Sequence, residues 1–116
     1  YIRKQETIDE FIEIRRNPNH LEWAYFDVSR IHFSTDINQV IDQSELVILA
    51  IPSPYLKDLF QAIKIDISQK KVISAVKGMI PDENILVTDF LHTHFQIPEE
   101  NLGMITGPCH AEDIAL

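Results

Sequence analysis

Residues 46–51 read LVILAI, six apolar residues in succession, and Pro52 ends the run. A strand apolar at every position suits burial on both faces, as in a central parallel strand covered by helices on either side. Behind it Tyr55, Leu56, Leu59, Phe60 and Ile63 recur at helical spacing. A second short apolar run, VISAV at 72–76, predicts the next strand. Pro81 and Asp82 predict a helix start, with Ile85, Leu86, Phe90 and Leu91 spaced to face a core. Residues 102–106 (LGMIT) predict a further strand, ending at Gly107 and Pro108 where another helix opens.

The signals before this run are shorter. Residues 1–4 (YIRK) read as the end of a strand. Thr7 and Glu10 form a capping-box pattern, and Ile8, Phe11, Ile12 and Ile14 give an apolar stripe, so a helix is expected over about 7–16, stopped by Asn17 and Pro18. Residues 18–30 have no period and read as an excursion loop, in which Trp23 is assigned no role. Residues 31–34 (IHFS) suit a short strand, and Asp36 with Gln39 repeats the capping-box pattern before a helix at 37–43. Strand and helix alternate throughout, with short links and no internal repeat. That order predicts an α/β fold, a parallel sheet with flanking helices and right-handed crossovers. Ligands of such sheets sit at the carboxyl ends of the strands. At those predicted ends stand Arg3 and Lys4; Pro52, Ser53 and Pro54; Lys77 and Gly78; and Gly107, Pro108, Cys109 and His110.

Composition narrows the classes. With 116 residues, 45% hydrophobic and 24% charged, the chain suits one compact domain or part of a larger one. No apolar run approaches the ~20 residues of a membrane helix, and no secretory signal pattern precedes the fold. Ten Lys and Arg against eighteen Asp and Glu give a formal net charge of −8. That balance argues against general nucleic-acid or acidic-membrane binding. It leaves room for a small anion, since a few local cations outweigh a distant global charge. The single cysteine, Cys109, excludes an internal disulfide and fits a reducing cytoplasm.

The candidate residues each carry two readings. Lys77 at a strand end either snorkels to water or meets an anion, with Gly78 permitting close approach of backbone or substrate. Gly107 and Pro108 make a well-formed helix start whose free amides, over 109–111, could also hold an anion. Arg3 and Lys4 suit a phosphate on a cofactor ribose, or else form a solvated pair balancing Glu6, Asp9 and Glu10. Pro52 and Pro54 break the strand, and Ser53 between them leaves a hydroxyl facing whatever fills the crevice. Cys109 and His110 are sequence neighbours, which usually diverge, and His92 and His94 are spaced i,i+2, so they do not share a helix face. No metal site is expected.

Taken together, "LVILAIPSPYL", "AVKGM" and "MITGPCHAEDIAL" resemble the nucleotide-binding domain of bacterial NAD(P)-dependent glycerol-3-phosphate dehydrogenases. In that family one strand ends in Val/Ile-Pro-Ser, a later one in Thr/Val-Lys-Gly, and a third motif reads Gly-Pro-Ser/Thr-Phe-Ala-x-Glu. The likeness extends over essentially the whole chain but covers only part of the family's length. The resemblance implies a Rossmann-like domain over 1–116, incomplete because the family's first strand and Gly-x-Gly-x-x-Gly/Ala loop have no counterpart. The glycines at 78, 103 and 107 cannot serve that fingerprint. The family's helical domain, which supplies its catalytic lysine, is expected beyond Leu116. Cys109 stands where the family has Ser or Thr, and His110 where it has Phe.

The implied reaction is hydride transfer between NAD or NADP and the pair dihydroxyacetone phosphate and sn-glycerol 3-phosphate, feeding glycerophospholipid synthesis. Carried over, Lys77 contacts both substrate and cofactor, Gly107 and Cys109 contact substrate, and Ala111 contacts cofactor. Arg3 and Lys4 approach the adenosine ribose or its 2′-phosphate, and Ser53 and Tyr55 line the cofactor crevice. The isolated 116 residues are expected to be inactive and to bind cofactor weakly. A homodimer is among the expectations for the full-length protein. The rival readings are another Rossmann reductase acting on a keto acid or imine, a non-enzymatic α/β module, and a degenerate domain kept for folding or assembly.

Overall fold

The apolar runs after residue 45 fold as a three-stranded sheet in the order β1, β2, β3, all parallel. The strands are β1 (Leu46–Leu49), β2 (Lys71–Ser74) and β3 (Leu102–Met104). The computed structural model describes residues 1–20 and 23–106. Its helices are α1 (Gln5–Ile14), α2 (Ile37–Asp42), α3 (Leu56–Ala62) and α4 (Val87–Phe95). The chain forms two compact units, residues 1–40 and 41–116.

In the second unit the connections are β1–α3–β2 and β2–α4–β3. Val47 pairs with Val72, and Ile73 with Gly103. Parallel strands laid down in consecutive order, with crossovers of one hand, place both helices on the same face of the sheet. The aromatic packing bears this out. Phe60 of α3 stacks on Phe90 of α4 at 5.0 Å and meets Phe95 at 5.6 Å. Leu56 and Leu91 are fully buried beneath them, as is Ile97 beyond α4.

This arrangement corrects the expectation for β1. Its sequence allows burial on both faces, but among the described residues β1 is an edge strand with one face covered. Leu46 is 47% and Ile48 57% exposed, while Leu49 is buried. The reason is topological: α3 and α4 lie side by side, so neither covers the face that carries residues 46 and 48.

The start of α4 also differs. A helix from Pro81 was expected, yet Asp82 and Asn84 have φ of 68° and 54°, which no right-handed helix accommodates. The Ile80 amide donates to the Ile85 carbonyl and the Asn84 amide to the Ile80 carbonyl, closing a loop instead. The helix begins only at Val87, and Leu86 becomes its exposed N-cap residue rather than a core residue.

The first unit is organised by Phe11, whose ring meets Phe26 at 5.3 Å and Phe33 at 5.1 Å. The expected strands at 1–4 and 31–34 are not strands. One bond, Ile2 amide to Ser34 carbonyl at 3.1 Å, joins them. Neither segment becomes a strand around that bond. α1 starts two residues before Thr7, placing Thr7 inside the first turn; Lys4 is the N-cap residue, with no side-chain cap. The cap before α2 does form. Asp36 Oδ1 accepts from the Asn38 and Gln39 amides at 2.9 and 3.3 Å. Gln39 does not reach back directly: Ser34 Oγ donates to it and accepts from the Asp36 amide.

Candidate functional site

Two backbone bonds carry the strand alignment past the strand ends. The Ala75 amide donates to the Leu49 carbonyl at 2.8 Å, and the Ile105 amide to the Ser74 carbonyl at 2.8 Å. Ser74 is fully buried, its Oγ accepting from the Val76 amide at 3.4 Å. The carboxyl ends of all three strands therefore stop in a row, and the segments leaving them are neighbours.

From β1 the chain leaves through Pro52, whose carbonyl accepts from the Tyr55 amide at 3.1 Å. Ser53, Pro54 and Tyr55 form one 3-10 turn that runs directly into α3. Pro54 fits because the first turn of a helix leaves its amides unused. From β2 the chain bends at Lys77 and Gly78. Gly78 has φ of +108°, and a Cβ built there would lie 3.4 Å from Ser53 Oγ. The Pro-Ser end of β1 and the Lys-Gly end of β2 thus face one another.

Lys77 is exposed, and among the described residues it has neither an ion pair nor a hydrogen-bond partner. An exposed cation one residue before the glycine that faces Ser53 is placed to receive an anion. Each segment leaving the sheet also carries an exposed large apolar side chain: Tyr55 after β1, Met79 after β2 and Ile105 after β3. Cation, hydroxyl and apolar surface together suit a ligand that is anionic at one end and flat and apolar at the other.

Arg3 and Lys4 belong to the first unit, immediately before α1. Cations at a helix amino terminus add to the positive end of the dipole and sharpen attraction for an anion, with Glu6 of the first turn opposing them. Gly107, Cys109, His110 and Ala111 lie outside the described residues.

Two surface grooves lie elsewhere, and their chemistry disfavours them as phosphate sites. One, of about 480 Å³ between α4 and β3, is lined by Asp89 and Glu99 with His92. Its carboxylates repel an anion. The other, of about 640 Å³ near the amino ends of β1 and β2, holds Lys70 and Lys71 beside Asp42 and Glu45. There Lys70 Nζ already donates to the Asp42 and Ser44 carbonyls, both at 2.9 Å. The histidines of α4 are likewise engaged: His92 Nδ1 lies 2.9 Å from the Ile97 carbonyl, and His94 stacks on Phe90. Among the described residues no group of three potential ligands could hold a metal.

Sequence reading missed two features of this edge. Buried Ser74 had a signal, a small polar residue inside an apolar run. The pairing of Lys57 with Asp82, at a separation of 25 residues, had none.

With the geometry in place, comparison with known proteins decides the family. The family model described as NAD-dependent glycerol-3-phosphate dehydrogenase N-terminus matches residues 1–116. The chain belongs to this family. Relatives in the glycerol-3-phosphate dehydrogenase family include the enzyme named glycerol-3-phosphate dehydrogenase (NAD(P)+) of Psychrobacter arcticus, 24% identical over 98% of this chain and 26% of the relative. The same-named proteins of Staphylococcus carnosus and Ectopseudomonas mendocina are each 26% identical, over 98% and 99% of this chain and 35% and 33% of the relatives. The chain thus spans about a quarter to a third of the curated relatives it matches. Against the family's nucleotide-binding domain, the described fold is a partial Rossmann-like α/β sheet with its strand ends aligned.

Proposed function

We propose that this chain is the nucleotide-binding part of an oxidoreductase that transfers hydride between NAD(P)H and dihydroxyacetone phosphate, giving sn-glycerol 3-phosphate for glycerophospholipid synthesis. The observation that carries the reading is that Ser53 faces Gly78 next to Lys77, which is exposed and has no partner among the described residues. Membership of the dehydrogenase family supports it.

The exposed lysine, the serine hydroxyl and the apolar Tyr55 and Met79 fit a dinucleotide, which carries phosphates and flat rings on one molecule. When bound, the reduced nicotinamide supplies the hydride. The chain's own residues bind and orient. Lys77 attracts the substrate's phosphate and polarises the carbonyl oxygen, stabilising the alkoxide that develops as hydride arrives. The proton that completes the alcohol comes from the family's lysine, which this reading places in a following helical domain. Ser53 and Tyr55 line the cofactor side. Gly107 and Cys109 contact substrate and Ala111 cofactor in the same reading, and Arg3 with Lys4 faces the adenosine ribose. The Cys109 thiol is a poor donor, so backbone amides carry that contact. A cytoplasmic location and a homodimeric full-length protein belong to the same proposal.

The test uses the full-length protein, with oxidation of NADPH and NADH followed in the presence of dihydroxyacetone phosphate. Turnover that requires the phosphate and falls about 10²-fold or more in Lys77→Ala supports the reading. Turnover of an unphosphorylated keto acid or imine overturns it, as does none with either cofactor.

A further inference from the structure

Lys77 projects from a bend whose shape the local backbone disfavours. Between β2 and α4 the chain passes through Gly78 at φ +108°, then Asp82 and Asn84 in the left-handed region. Asp and Asn tolerate that region better than other side chains, but each such residue persists only where its surroundings hold it. Below the bend the hold is Ile80, fully buried, with its amide and carbonyl both hydrogen-bonded inside the loop.

Above it the hold is ionic. Lys57 Nζ lies 3.3 Å from Asp82 Oδ2 and 3.6 Å from Glu83 Oε1. Lys57 stands on the first turn of α3, four residues after Ser53, and Ser53 is the residue against Gly78. One short segment, 53–57, therefore faces the strap 78–83 at two points: Ser53 lies next to the space a Cβ at Gly78 would fill, and Lys57 pairs with Asp82 and Glu83. Between those points Leu56 is fully buried and keeps the segment from rolling. The strand-end lysine has its place set by the helix that follows the neighbouring strand.

We propose that Lys57 is a positioning residue: its pairing with Asp82 and Glu83 holds the 78–83 strap so that Lys77 is presented to the phosphate-bearing substrate. This rests on Lys77 being the anion-binding group of the proposed dehydrogenase. Lys57 touches no substrate in this arrangement and acts through the strap. Removing it lets Asp82 and Asn84 relax, and the bend carrying Lys77 moves with them.

Two readouts on the full-length protein test this, in Lys57→Ala, Lys57→Arg and the double variant Asp82→Asn with Glu83→Gln. The first is hydrogen exchange at the Ile80 and Asn84 amides, which needs no turnover. The second is steady-state kinetics with dihydroxyacetone phosphate. In Lys57→Ala both amides are expected to exchange about two- to five-fold faster, the size of an ion pair whose Asp82 carboxylate is largely solvent-exposed. The KM for the phosphate substrate is expected to rise and kcat to fall, since Lys77 both attracts the phosphate and polarises the carbonyl, and Lys57→Arg is expected to restore both. The carboxylate double variant should match Lys57→Ala, and combining the two should add nothing further. Unchanged exchange in Lys57→Ala overturns the proposal whatever the kinetics. Faster exchange with unchanged KM in an active enzyme overturns its link to substrate. A wild-type protein inert toward dihydroxyacetone phosphate removes the proposed function, and the proposal's substrate link falls with it.

Discussion

Gly78→Ala isolates the backbone conformation on which the strand-end site depends. Two costs are available to a Cβ at this position. The steric one is small, because the nearest atoms would be Ser53 Oγ at 3.4 Å and Ser53 Cβ at 3.8 Å, ordinary van der Waals separations. The conformational one is larger. At φ +108° the residue lies beyond the left-handed well that other side chains occupy, and such a placement costs about 1–3 kcal/mol. Alanine also restricts the unfolded chain, which offsets roughly 0.4–1 kcal/mol. The net expectation is a loss of about 1–2 kcal/mol, assigned to backbone. In urea, with a slope of about 1–1.5 kcal/mol/M for a chain of this size, the midpoint should fall by about 1 M. The assay is urea unfolding followed by far-ultraviolet circular dichroism for wild type, Gly78→Ala, Ser53→Ala and the double variant. If backbone strain decides, the double variant is additive within about 0.5 kcal/mol. Recovery of stability on adding Ser53→Ala would show that contact, not conformation, sets the cost. A neutral Gly78→Ala would refute the reasoning outright.

Leu56→Ala removes a fully buried side chain between the two points that face the strap and should cost about 2–5 kcal/mol, measurable in the same urea assay. A cost below about 1 kcal/mol would mean that α3 does not hold the strap through Leu56. Asp66 is held below the usual carboxylate range, first by the Ser68 amide donating to its Oδ1 at 2.9 Å and then by the Ser68 hydroxyl. A depressed carboxylate contributes its stabilisation above its unfolded pKa and loses it as pH falls through the folded one. The turn at 66–68 should thus stay intact at neutral pH and loosen only in acid below the ordinary aspartate range, read as the carboxyl carbon shift of Asp66 in an NMR titration. A midpoint at or above the ordinary value would contradict the hydrogen bond.

The strands were legible because their composition is locally decisive: apolar, β-branched runs bounded by Pro, Gly or charge can do little else. The helix after Pro81 was misread because Pro followed by Asp is a good start signal, while the left-handed turn at Asp82 and Asn84 depends on bonds between Ile80, Asn84 and Ile85. The strands expected at 1–4 and 31–34 failed for the complementary reason. Their residues favour extension, but a strand exists only where a partner completes its ladder, and here one bond joins the two segments.

For the site, the sequence by itself placed Ser53, Lys77 and Gly78 at strand ends, since alternating strands and helices force successive parallel strands to end on one edge. It could not show that a Cβ at Gly78 would lie 3.4 Å from Ser53 Oγ, nor that Lys57 reaches Asp82 across 25 residues. Both depend on how far α3 is rotated and set above the sheet, to which the packing of buried residues such as Leu56 and Phe60 contributes. Which face of β1 is covered was open in the same way. Six consecutive apolar residues permit burial on both sides, and only the placement of α3 beside α4 selects one. Local chemistry is written in neighbouring residues, but distances between elements come from packing, to which many distant residues contribute at once.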